Sequence, residues 1–182
     1  TEGNRISLQG GGKLVATNIQ VPSDISSAAF FMVGAAITEG SDVTLEAVGI
    51  NPTRTGVIEI LKQMGADLTV QNERIAGGEP IADIRIRGTR TLQGIHMPED
   101  QVPLAIDEFP ALFIAAACAE GRTILTGAAE LRVKESDRIQ VMADGLKTMG
   151  IDCTPTEDGI IIEGKGKSGE WSAIFNGGEI ES

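Results

Sequence analysis

Eight consecutive residues, Leu131-Arg132-Val133-Lys134-Glu135-Ser136-Asp137-Arg138, carry the densest chemistry in the chain. Arg132, Lys134 and Arg138 supply cations, Glu135 and Asp137 supply acids, and Glu130 stands beside them. The segment runs into an amphipathic helix whose first turn is expected to contain Ser136 and Asp137. A helix N-terminus offers unpaired N–H groups and the positive end of the dipole, so cations gathered there make an anion site. Arg138 suits a two-pronged grip on carboxylate or phosphate, while Lys134 acts as a point charge. In a chain of net charge -11 such a cationic knot calls for a reason. A solvated loop tied up by its own ion pairs is the plain alternative.

A second set of candidates lies upstream. Asp107 opens Asp107-Glu108-Phe109-Pro110 and an apolar helical run, and Asp24 opens a similar one. Both are well placed to cap those helices. His96, the single histidine, precedes Met97-Pro98 and reads as a surface or satisfied residue. Neither His96 nor the cysteines Cys118 and Cys153 have the spacing of a metal site, and no cofactor is called for. Gly10-Gly11-Gly12 lacks the Gly-Lys-Ser/Thr that a phosphate loop needs.

The elements that must position these residues form a repeat. Asp24 and Asp107 each start an apolar helix, and the helices stop at Glu39-Gly40 and Glu120-Gly121. Strand-like Asp42–Leu45 and Arg122–Leu125 follow. Each copy then runs through a polar loop into an amphipathic helix ending at Met64-Gly65 or Met149-Gly150. The Glu-Gly landmarks are 81 residues apart and the Met-Gly landmarks 85. The second copy thus carries about four extra residues where the Leu131–Arg138 segment sits. The equivalent loop of the first copy, Asn51-Pro52-Thr53-Arg54-Thr55-Gly56, has a single cation.

Val57, Ile60, Leu61 and Met64 recur at i, i+3, i+4, i+7, as do Ile139, Met142, Leu146 and Met149 in kind. Gly65 and Gly150 supply the left-handed residue after each helix. Ala28–Ile37 and Phe109–Ala119 are apolar all round, which predicts helices buried on every side, with Phe30, Leu112 and Phe113 nearly inaccessible. Strand pairs Asp67–Gln71 with Ile84–Arg87 and Asp152–Thr156 with Ile160–Glu163 complete each copy. Strands before the apolar helices, Lys13–Val21 and Ile95–Met97, make each a βαβαββ unit. The expected fold is therefore α/β (α+β), repeated units packed around buried helices. Residues 1–20 read as a crossover, 21–90 and 91–165 as two units, and 166–182 as the start of a third.

The 182 residues are 41% hydrophobic, enough for a packed core, with apolar content drawn from Ile, Val, Leu and Ala rather than aromatics. Strong negative charge without a basic stripe argues against nucleic acid or an anionic membrane as partner. Ala28–Ile37 is far shorter than the roughly 20 residues of a spanning helix, and no signal-peptide core opens the chain. A soluble cytoplasmic protein with reduced cysteines is expected.

Leu131–Arg138 resembles the Arg-Val-Lys-Glu-Ser/Thr-Asp-Arg signature of 5-enolpyruvylshikimate-3-phosphate synthases. Ile106-Asp107-Glu108-Phe109-Pro110 is similar to that family's second signature. Val21–Asp24, Asn51–Gly56 and Ala76-Gly77-Gly78-Glu79 fit its branch with Asn-Pro-Thr-Arg-Thr-Gly loops. The resemblance runs from about Arg5 to Ser182. It implies a longer enzyme of two domains, each an inverse α/β array of three βαβαββ units, of which this chain resembles part of the second. It also implies transfer of the carboxyvinyl group of phosphoenolpyruvate to the 5-hydroxyl of shikimate 3-phosphate, in aromatic amino acid biosynthesis. By the resemblance, Asp107 would take the proton from the 5-hydroxyl and Glu135 would protonate the methylene carbon. Lys134 would touch shikimate 3-phosphate and Arg138 phosphoenolpyruvate; some members carry Asn at Glu130. The missing half of the enzyme would be the chain's macromolecular partner. A sister UDP-N-acetylglucosamine enolpyruvyl transferase and a non-catalytic anion-binding repeat protein are the alternatives.

Overall fold

A computed structural model describes residues 5–16, 18–88, 91–166 and 174–179. Two copies of one small motif make up the body. The first comprises α1 (Ile25–Ile37), β1 (Asp42–Gly49), α2 (Gly56–Gln63), β2 (Asp67–Ala76) and β3 (Glu79–Arg87). The second comprises α3 (Phe109–Cys118), β4 (Glu120–Leu125), α4 (Arg138–Thr148), β5 (Asp152–Pro155) and β6 (Ile160–Lys165). Each builds a three-stranded antiparallel sheet with the last strand in the middle, in the orders β1-β3-β2 and β4-β6-β5. Identical strand order in both copies is the structural face of the repeat seen in the sequence.

Period-two patterning sets which face each sheet buries. Ile84 and Ile86 of β3 point inward, while Arg85 and Arg87, alternating with them, point out and pair with Asp42 and Asp67. Ile160 and Ile162 of β6 are likewise buried. The apolar helices α1 and α3 pack on each other between the sheets. Gly65 and Gly150 adopt the expected left-handed φ, 86° and 81°, closing α2 and α4. Asp24 caps α1, its Oδ2 accepting from the Ser27 amide at 2.8 Å. The Ser27 hydroxyl, then its amide, hold the Asp24 carboxyl below the usual aspartate range.

Four expectations change. First, the described residues of Lys13–Val21 form no strand: Leu14, Val15, Ile19 and Val21 are exposed, and Ser23, just beyond them, is bridged in parallel to Val48. Without apolar partners the stretch has no burial to offset its ordering. Ile95–Met97 fares better, running beside β4 through parallel bridges Gln93–Glu120 and His96–Ile124. Second, α1 is not buried on every side. Phe30 is 66% and Phe31 64% exposed, on one stripe with Ser27 and Gly34. The sheet and α3 cover the other faces, and a helix apolar all round carries no sign of which side stays open. α3 does meet the expectation, with Phe109, Leu112 and Phe113 fully buried, each worth roughly 1.5–3 kcal/mol.

Third, the cap of α3 differs. Glu108, not Asp107, occupies the α3 cap position, without a side-chain cap bond. Fourth, α4 starts at Arg138, so Ser136 and Asp137 precede it and Asp137 is its cap, accepting from the Gln140 amide at 3.0 Å.

Both cysteines are free and buried; burial pushes the Cys118 thiol up to about 12. Part of the expected third unit, 166–182, falls outside the described residues, as do 1–4, 17 and 89–90. Within it, Ile174 is buried, its carbonyl accepts from Lys165 Nζ at 2.8 Å, and the Asn176 amide donates to the Met149 carbonyl. Among the described residues no helix is long and apolar enough to cross a membrane.

Candidate active site

The site lies at the seam between the two copies, where three loops converge. Asp107 precedes α3; a short helical turn, Ala129–Val133, leads through Lys134 and Glu135 into α4. The Asn51–Gly56 loop arrives from the first copy. That loop is wound tight: the Asn51 side chain accepts from both the amide and hydroxyl of Thr53, and the Arg54 amide donates to the Asn51 carbonyl. Gly56 seats it against the second copy, since a Cβ there would lie 2.8 Å from the Leu104 carbonyl carbon. The Gly56 amide also donates to the Leu104 oxygen at 3.1 Å.

All four residues singled out from the sequence come together. Arg138 Nη1 lies 3.3 Å from Asp107 Oδ1, and Lys134 Nζ lies 3.9 Å from the same oxygen. Arg138 also grips Glu135 with two prongs, Nε to Oε1 and Nη2 to Oε2, both at 2.9 Å. An open depression of about 320 Å³ runs past Phe30, Asp107, Pro110, Glu135, Ser136 and Arg138. Bonding to its own backbone amide, then to Arg138, holds the Glu135 carboxyl below the usual glutamate range. Lys134 is pushed up, first by its 2.7 Å contact with Glu130. Glu130 thus steadies Lys134 across one helical turn.

Arg132 is not available to an anion. Its guanidinium bonds the Thr156 and Glu157 carbonyls in the β5–β6 turn and pairs with Asp137 at 2.5 Å. His96 is exposed, its Nε2 3.3 Å from the Thr126 hydroxyl. No cluster of His, Cys, Asp and Glu among the described residues could hold a metal ion.

Two residues went unassigned from the sequence. Glu108, beside Asp107, is 2% exposed, and Arg54 reaches across the seam to within 3.4 Å of it. The signals were present but weak: a carboxylate at the mouth of an apolar helix, and the lone cation of the loop equivalent to Lys134–Arg138.

Repeated helix–sheet units with paired carboxylates and cations at their seam define an enolpyruvyl-transferase-like fold. A crystal structure of an enolpyruvyl transferase from Streptomyces tendae shares that fold at 17% identity, with TM-score 0.56 over 85% of this chain and 31% of the other. The EPSP synthase (3-phosphoshikimate 1-carboxyvinyltransferase) family model matches residues 1–182, and the chain belongs to that family. A 3-phosphoshikimate 1-carboxyvinyltransferase from Methylococcus capsulatus is 66% identical over all of this chain and 39% of its own length. An EPSP synthase structure from Acinetobacter baumannii is 91% identical with TM-score 0.95, covering all of this chain and 41% of the other. The chain therefore spans about two fifths of the relatives it matches.

Proposed function

We propose that this segment supplies the proton-transfer groups of a 3-phosphoshikimate 1-carboxyvinyltransferase. In this reading the 5-hydroxyl oxygen of shikimate 3-phosphate bonds to C2 of phosphoenolpyruvate. Asp107 accepts the hydroxyl proton and Glu135 delivers one to the methylene carbon. Loss of phosphate from C2, with a proton from the new methyl group, restores the vinyl group. Such transfers need one group to receive a proton and another to give one, at separate points. Lys134 faces the phosphorylated acceptor and Arg138 the anionic donor.

The observation that carries the reading is the convergence of Asp107 and Glu135 on one depression, linked by Arg138. Family membership favours it over the sister transferase and over a non-catalytic anion binder. In the full-length enzyme, Asp107→Ala and Glu135→Gln should each lower phosphate release by roughly 10²–10⁴-fold. Full activity in either variant refutes that assignment.

The domain reading is part of the proposal: residues 1–20 cross from a first domain, 21–90 and 91–165 are two units of a second, and 166–182 starts a third unit. An apolar groove of about 290 Å³ beside the site, lined by Phe30, Val33, Gly34, Ile37, Ala111 and Ile114, then seats the rest of that domain. Such an enzyme works in the cytoplasm on two small anionic substrates.

A further inference from the structure

Glu108 is an anomaly in the fold. Its side chain is wholly inaccessible, and its Oε2 has no hydrogen-bond partner. Buried carboxylates are retained when they hold something. Oε1 accepts from the Ser26 hydroxyl at 2.5 Å, and Arg54 Nη2 donates to Ser26 Oγ at 2.7 Å while standing 3.4 Å from Oε1. Ser26 belongs to α1, Arg54 to the first copy's loop and Glu108 to the second copy, so this knot stitches the seam. The same Arg54 nitrogen lies 3.6 Å from Asp107 Oδ2, while Oδ1 faces Lys134 and Arg138. The two oxygens of Asp107 are thus divided between cations of the two copies.

Resting on the reading of Asp107 as the base, we propose that Arg54, anchored by buried Glu108 and Ser26, is the positioning residue for Asp107. Arg138 also grips Glu135 and faces the donor anion, so it is a poor fixed anchor for Asp107. The side-chain bonds and ion pairs of Arg54 go to Ser26, Asp107 and Glu108, none of them in the α4 loop, so it stays in place when Arg138 turns to a ligand. It holds Oδ2 and leaves Oδ1 directed into the depression.

The test uses the full-length enzyme. Arg54→Gln should lower kcat for phosphate release roughly 10- to 100-fold, as expected for a misplaced catalytic group, with KM for both substrates within about twofold. Arg54→Lys, keeping the charge, should recover part of kcat. Arg54→Gln leaves Glu108 buried beside a neutral side chain and is expected to lower Tm. Arg54→Gln with Glu108→Gln removes that charge, and should restore Tm but not kcat. Recovery of both would make the knot purely structural, and a rise in KM with kcat unchanged would make Arg54 a substrate ligand; either overturns the proposal. In an Asp107→Asn background, Arg54→Gln should cost nothing further, and an additive loss overturns it too. Full turnover in Asp107→Asn alone instead removes the base assignment, and Arg54's role with it.

Discussion

Arg138 holds Glu135 as a carboxylate, through paired bonds of 2.9 Å from Nε and Nη2. The proposed role has Glu135 donate a proton, yet the group is tied in its ionised form while Arg138 has no other anion to hold. A donor anion that draws Arg138 away would free Glu135 to take up a proton. Replacing Arg138 with Ala should do the same without ligand. The Glu135 carboxyl, followed by carbon-detected NMR, should then titrate at higher pH than in the unsubstituted protein. Its own backbone amide remains, so the rise should be partial. An unchanged midpoint would leave Arg138 without influence on the candidate acid.

Asp83 in the middle strand β3 clips two irregularities at once. The register of β1 shifts between Leu45 and Val48, and that of β2 between Gln71 and Arg74. In these bulges Ala47 and Asn72 take left-handed φ of 54° and 55°. Asp83 Oδ1 accepts from the Ala47 amide at 2.9 Å and Oδ2 from Asn72 Nδ2 at 2.8 Å. The Ala47 amide, then Asn72, hold the Asp83 carboxyl below the usual aspartate range. Its stabilisation is therefore present above the unfolded value of about 3.9 and lost as pH falls through the lower folded value. Asp83→Ala should lower Tm at neutral pH, with the gap to the unsubstituted protein shrinking toward about pH 3. A gap that stays constant across this range would show that the ionised carboxylate is not what matters.

Phe30 bears on the domain reading. It is 66% exposed here and lines both the site and the apolar groove. If the remainder of the domain seats in that groove, Phe30→Ala should destabilise the full-length enzyme by about 3–5 kcal/mol, the cost of truncating a buried Phe. In the 182-residue chain, the same change should alter unfolding little and reduce self-association. Equal effects in both proteins would place the rest of the domain elsewhere.

Strands and amphipathic helices were legible because period-two and i, i+3, i+4 patterns report which face is buried. β3 and α2 show this directly: Ile84 and Ile86 alternate with arginines, and Val57, Ile60 and Leu61 share a stripe. The uniformly apolar α1 has no such contrast, and its open Phe30–Phe31 face could not be read. The convergence of Asp107 with the α4 loop followed from their equivalent places in the unit. The Arg54–Glu108 pair did not, because its members are 54 residues apart in different copies. Nor could composition distinguish Arg132, spent on the carbonyls of a neighbouring turn, from Arg138, which lines the depression, and Lys134, whose Nζ lies 3.9 Å from Asp107.

The 182-residue chain by itself should release no phosphate from shikimate 3-phosphate and phosphoenolpyruvate, although both candidate proton-transfer groups are in it. Holding two anionic reactants in line supplies on the order of 7–11 kcal/mol of barrier lowering, and closure that excludes water strengthens every charge in the site. The chain spans about two fifths of its relatives, and its candidate site is an open depression with Asp107 39% exposed at the side chain. With Arg132 engaged elsewhere, the cations beside Asp107 are Lys134, Arg138 and Arg54, and each already faces carboxylates of the site. Weak phosphate binding that fades with added salt is the expected residue of function. Calorimetry at low and high ionic strength measures the first, and a coupled phosphate assay the second. Steady phosphate release by this chain, abolished by Asp107→Ala, would show that the described seam is a sufficient active site.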